Sequence, residues 1–192
     1  AIVGQALESG RRKPKTIVPQ APAASEPIGT SAVMQVLRGK AEQAAQHDLP
    51  VLITGEKGCG RENLARFIHR RSARHGDFVM LDHGELAGED CRPYLLGSAG
   101  SGQPRTGLFE RARGGTLFIP DLQDVPAAAA RIIHQVLASG NFVPDGGGPE
   151  RLDCRLIASG CSGLQQRAQK NEILQQLYYL LNVLPLQRPS QR

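Results

Sequence analysis

No tryptophan occurs among the 192 residues, and aromatic side chains make up only 4% of them. Any core this chain builds must therefore be aliphatic. No apolar run approaches the ~20 residues that a bilayer-spanning helix needs. A secretory leader is not expected either, because Ala1 to Gly10 lead into a basic stretch instead of following one. The four cysteines, Cys59, Cys91, Cys154 and Cys161, form no Cys-x-x-Cys pair and have no histidine at finger spacing. A structural zinc site is therefore not expected, and free intracellular thiols are. Residue 1 is Ala, not Met, so we expect a piece of a longer chain.

What is present suffices for one domain and a little more: 40% of the residues are hydrophobic. The net charge is +5. The excess lies in Arg11, Arg12, Lys13 and Lys15, and in Arg61, Arg66, Arg70, Arg71 and Arg74. A basic balance favours polyanion contact. The plainer reading, a solvated tail and a solvated helix face, is the one expected here.

Residues 1–9 read as the last turns of a helix and residues 10–27 as a linker holding Pro14, Pro19, Pro22 and Pro27. The compact domain then spans 28–192. Ser31 is the expected cap of a helix over 32–47 with Val33, Val36, Leu37 and Ala41 inward. Strands are expected at 51–54, 78–81, 116–119 and 154–158, and helices over 61–74, 127–139 and 174–181. Residues 97–107 read as a loop, and Gly146-Gly147-Gly148 as a turn. Past Leu181 the chain is expected to run out through Pro185 and Pro189. Strands alternating with helices imply an α/β fold with a mostly parallel sheet covered on both faces, and a ligand site at the carboxyl ends of its strands.

The glycine loop falls at such an end. Gly55-Glu56-Lys57-Gly58-Cys59-Gly60-Arg61-Glu62 follows the apolar run Val51-Leu52-Ile53-Thr54. Glycines let backbone N–H groups converge on phosphate oxygens, and the helix that follows points its positive end at the same place. Arg61 stands where a phosphate loop carries lysine, and Glu62 where it carries Ser or Thr. Arg61 keeps the charge but brings a larger planar fork. Read alone, the segment is either a nucleotide loop or a tight turn that binds nothing. Arg61 paired with Asp121 or another acid would weaken the case for a nucleotide.

Over nearly its whole length the chain resembles the central AAA+ domain of sigma-54-dependent transcription activators, the nitrogen-regulator type. The resemblance rests on Pro27-Ile28-Gly29-Thr30-Ser31, Leu52-Ile53-Thr54-Gly55-Glu56 with Gly58, and Ala65-Arg66-Phe67-Ile68-His69. It is densest at Gly107-Leu108-Phe109-Glu110-Arg111-Ala112 with Gly114 to Ile119, and closes with Asp153 to Ser159 and Leu177 to Val183. It implies a three-layer P-loop NTPase fold, ATP or ADP as cofactor, and a bacterial cytoplasmic location. It also implies a receiver domain upstream, a DNA-binding domain downstream, and self-association. The chain ends about where the family's helical lid would begin, so the lid is absent or truncated.

The departures fall on the working parts. The resemblance puts an acidic pair after Ile119, where Pro120 and Asp121 stand; Asp124 matches an acid further along. A carboxylate there holds the Mg²⁺ shell and a second orients water, so Asp121 and Asp124 are the catalytic candidates and the Mg²⁺ site lacks a donor. The phosphate-sensing position falls on Gly160-Cys161, and two trans-acting arginines on Leu174 and Leu180. The sigma-54-gripping signature is missing from Ser98 to Thr106, so contact with sigma-54 is not expected. Three functions remain open. The first is a regulatory module without hydrolysis, acting through signal relay or oligomerisation. The second is an atypical ATPase using Asp121 or Asp124 with Arg167 or Lys170 in trans. The third is a nucleotide-free scaffold with Leu174 and Leu180 on a contact surface.

Overall fold

The computed structural model describes residues 32–88, 90–100 and 104–188. The expected helix end at 1–9, the linker, the domain start at Ile28, the Ser31 cap and everything after Arg188 lie outside them. Helix α1 covers Ala32–Ala45 and strand β1 Val51–Thr54; α2, Arg61–Arg71, follows the glycine loop. Next come β2 (Phe78–Met80), three short helices, α3 (His83–Leu86), α4 (Arg92–Leu96) and α5 (Leu108–Arg111), then β3 (Thr116–Ile119). Helix α6 (Ala127–Ser139) leads into the small hairpin of β4 (Asn141–Phe142) and β5 (Glu150–Arg151). The chain closes with β6 (Arg155–Gly160), α7 (Leu164–Ala168), α8 (Glu172–Leu181) and β7 (Leu184–Gln187).

Five strands form one sheet in the order β2-β3-β6-β1-β7. Every pair in it is parallel. The side-chain period of two sorts each strand between two cores. Leu52, Leu117, Ile119, Leu156 and Ala158 face one side, where they meet Leu95, Leu108, Phe109, Ile133 and Leu177. Val51, Ile53, Phe118, Ile157 and Leu186 face the other, against α1 and α2. This is the three-layer α/β arrangement of P-loop NTPases. The aliphatic character expected of the core holds, with a few phenylalanines added.

Two expectations need correction, and three short helices were not foreseen. Val33 and Val36 are 58% and 60% exposed. Leu37 and Ala41 are buried as expected, but Met34, Ala44 and Ala45 complete the buried stripe of α1 in place of the two valines, and the sequence alone allows both settings. Past α8 the chain does not run out: Leu184–Gln187 pair with β1 as a fifth strand. Pro185 obscures this, yet an edge strand tolerates a proline. Helices α3, α4 and α5 span five residues or fewer, too short for a 3.6-residue period to register.

One buried arginine and one partly exposed arginine cluster tie the layers together. Arg155, inside β6, is 2% exposed; its Nη2 donates to Ala44 O at 2.5 Å, satisfying a carbonyl at the end of α1. Arg74 is paired with both Asp48 and Asp153.

Candidate functional site

Strands β1, β3, β6 and β7 bring their carboxyl ends to one edge of the sheet. Thr54 lies opposite Gly160 on one side and Gln187 on the other. The loop 55–60 starts there: Gly55 N–H donates to Gly160 O at 3.2 Å. It ends at Gly60, which caps α2 with φ 85° and ψ 35°, a left-handed conformation that favours glycine. No side chain caps α2, so its first N–H groups and its positive end face whatever enters the loop. Glu56, Lys57 and Gly58 are exposed and Cys59 is buried.

Arg61 does not reach out as a phosphate-loop lysine would. It is 8% exposed. Its Nη2 donates to Asp121 Oδ1 at 2.7 Å, and its Nη1 is buried without a partner. Asp121 sits at φ 41°, the one described non-glycine residue with positive φ. Asp is among the residues that tolerate this region. Its N–H donates to Ser159 Oγ at 3.3 Å and its carbonyl accepts from Asp124 N–H at 2.7 Å. The structure thus joins two of the sequence-predicted residues to each other.

Pro120 offers only a carbonyl, and His83 Nε2 donates to it at 2.9 Å. Asp124 is exposed and accepts from Gln123 Nε2 at 3.3 Å. Glu62 is held by Arg66 at 2.8 Å, one turn along α2. Cys161 N–H donates to Gln123 Oε1 at 3.2 Å. Leu174 is 7% exposed and packs inside the core, which removes it from the contact surface that a scaffold reading assigns to it. Leu180 is half-buried, and Arg167 and Lys170 are exposed. Among the described residues no three His, Cys, Asp or Glu side chains gather as metal ligands. Ser98 bridges to Arg105, with hydrogen bonds of 2.8 and 3.0 Å, and also to Asp145; residues 101–103 of that segment lie outside the description.

Arg188, just past β7, is the residue that sequence reasoning missed. Its N–H donates to Thr54 O at 2.7 Å. A side chain on Gly55 would come within 3.3 Å of Arg188 Cβ, and one on Gly60 within 3.1 Å of its guanidinium carbon. The arginine therefore runs from one end of the glycine loop to the other. Its Nη1 donates to Gly60 O at 2.7 Å. It is 5% exposed, its Nε has no partner, and burial pushes the guanidinium below its ordinary range. A basic residue after Leu184-Pro185-Leu186-Gln187 is the only signal in the sequence, and it has meaning only once β7 is known to flank β1.

Comparison with known proteins agrees with this fold. Residues 27–187 match the sigma-54 interaction domain. The DNA-binding transcriptional regulator NtrC of Rhizobium meliloti (strain 1021) is 33% identical over 198 residues, covering 100% of this chain and 41% of that protein. A crystal structure of NtrX from Brucella abortus in complex with ATP has a TM-score of 0.77 at 31% identity, over 85% of this chain and 38% of that one. The P-loop NTPase domain of a sigma-54 activator from E. coli shares the fold, with a TM-score of 0.56 at 21% identity. The chain thus spans about two fifths of the length of the NtrC relative. A parallel sheet, a glycine loop at the carboxyl end of β1 and a match over nearly the whole chain lead to one conclusion: this chain belongs to the sigma-54 interaction domain family, the central AAA+ domain of NtrC-like transcription regulators.

Proposed function

We propose that this domain is a regulatory AAA+ module that binds nucleotide weakly, does not hydrolyse ATP, and acts in a longer cytoplasmic regulator by relaying a signal or by self-association. The carrying observation is the Arg61–Asp121 pair at 2.7 Å. It ties up both the loop's basic residue and the nearest carboxylate after β3. Pro120 supplies no second carboxylate, so the donor set does not fit a Mg²⁺ ion. Leu174 and Leu180 supply no guanidinium in trans, a loss worth about 10³–10⁵ in rate. Four defects in metal, sensor, trans and partner-contact positions act in the same direction.

Nucleotide binding is a separate matter. NtrX, at 31% identity, has been crystallised with ATP and with ADP. The loop here keeps its glycines and its uncapped helix. Contact with sigma-54 is not part of this reading, because the gripping signature is absent between Ser98 and Thr106.

The test is phosphate release by the purified chain with ATP and Mg²⁺. Release stays at background. Sustained turnover that is lost in Arg61→Ala would sink the proposal and favour the atypical ATPase, which would then depend on the exposed Asp124.

A further inference from the structure

Among the described residues two guanidinium groups lie against the glycine loop, and one of them has an acid. Arg61 starts α2 and is paired with Asp121. Arg188 comes from the end of β7 and lies over Gly60. Among the described residues no carboxylate is paired with it, and burial disfavours its charged form. A buried cation without a counter-charge is costly. Here it stands beside the positive end of an 11-residue helix, which adds to the cost.

The orphaned atoms point the same way. Arg188 Nε and Arg61 Nη1 are both buried and both unpartnered. Arginine nitrogens can only donate, so each needs an acceptor from outside. A plain latch between β7 and the loop would need no more than the Nη1 bond to Gly60 O, and would leave no reason for a charge. An oxyanion answers every one of these features.

We propose that Arg188 is a second cationic ligand of the glycine loop, so that the pocket holds the phosphate end of a di- or triphosphate with two guanidinium groups in place of one lysine. This rests on the reading that the domain binds nucleotide without turning it over. The same chemistry would take inorganic pyrophosphate, so the two sources must be told apart.

The experiment titrates the 192-residue chain with ADP and with pyrophosphate by calorimetry, and follows thermal unfolding with and without each. Wild type binds both. Arg188→Leu weakens both by about tenfold or more, the loss expected for hydrogen bonds to a charged group. Without ligand, Arg188→Leu melts no lower than wild type, because it removes an uncompensated charge, but its ligand-induced rise in Tm disappears. Arg188→Lys falls between, since it keeps the charge and loses the fork. Should Arg188→Leu fail to fold, Arg188→Lys decides: unchanged affinity overturns the proposal. Equal or tighter binding by Arg188→Leu overturns it too, making Arg188 a latch or a plug. Weakening for ADP but not for pyrophosphate places Arg188 at the nucleoside end and overturns phosphate ligation. No binding of either anion by wild type near 1 mM overturns it as well. Phosphate release from ATP with Arg188→Leu still weakened overturns only the no-turnover reading.

Discussion

Arg61 Nη2 and Asp121 Oδ1 stand 2.7 Å apart, across the gap between the start of α2 and the end of β3. One is 8% exposed and the other 28%. Removing the acid leaves the arginine charge buried; removing the arginine leaves an acid that can still reach water. The two substitutions are therefore unequal. Asp121→Asn keeps the shape and the tolerance for φ 41° but loses the charge. It is expected to cost about 1–3 kcal/mol. Asp124→Asn, on the exposed side of the same turn, is expected to stay within about 0.5 kcal/mol. Urea unfolding curves of the two variants check the difference.

On the function proposed above, Pro120 is not the only obstacle to turnover. Restoring a carboxylate with Pro120→Asp leaves Arg61 engaged with Asp121 and leaves leucines at the trans positions. Phosphate release from ATP is expected to remain at background in wild type and in Pro120→Asp. A clear rise in the single variant would mean that Pro120 alone silences the site.

Gly58 and Gly60 both have positive φ, 81° and 85°, but different surroundings. A side chain at Gly58 meets open space, whereas one at Gly60 meets the Arg188 guanidinium at 3.1 Å. Gly58→Ala is expected to cost about 1 kcal/mol, the conformational penalty alone. Gly60→Ala is expected to cost more, and to disturb Arg188. Paired measurements of Tm, and of the ADP affinity of each variant, separate strain from contact.

His69 carries a pH dependence. Its Nδ1 lies 2.9 Å from Thr116 Oγ1 and its ring meets Phe78 edge-on at 5.5 Å. Burial, and then the Arg66 charge, hold the imidazole below its ordinary 6.5. The unfolded chain therefore takes up this proton first as the pH falls. Stability is complete above 6.5 and declines as the pH drops from there toward the lower folded value. His69→Gln is expected to flatten that decline, read as ΔG of unfolding measured between about pH 7 and pH 5.

Much of this was legible in the chain. β1, β3, α6 and the glycine loop stand where the apolar runs and the turn residues put them, because each is long or sharply punctuated. The setting of α1 was not legible, since Val33 and Met34 are equally apolar and only the surface beneath decides which one turns in. β7 was hidden by Pro185 and by its position at the sheet edge, where few residues suffice. The candidate site divides along the same line. Gly55 to Gly60 advertise themselves by type and spacing. Arg61 and Asp121 were each visible as a departure, but only the fold makes them one contact. Arg188 could be read only once β7 was placed beside β1, because its neighbours in space are far away in sequence.

The sheet order also governs when the site can exist during synthesis. β1 is made early, yet its two partners are β6 and β7, so Val51 waits for Ile157 and for Leu184. Until residue 188 has left the ribosome, Thr54 O lacks the N–H it accepts from Arg188, and the glycine loop lacks the side chain that spans it. The nascent chain thus carries a phosphate motif with no pocket. A fragment ending before β7 would expose β1 as a bare parallel edge, open to pairing with another chain. Among the described strands β7 completes β1, and any shortened version intended for binding studies must keep it.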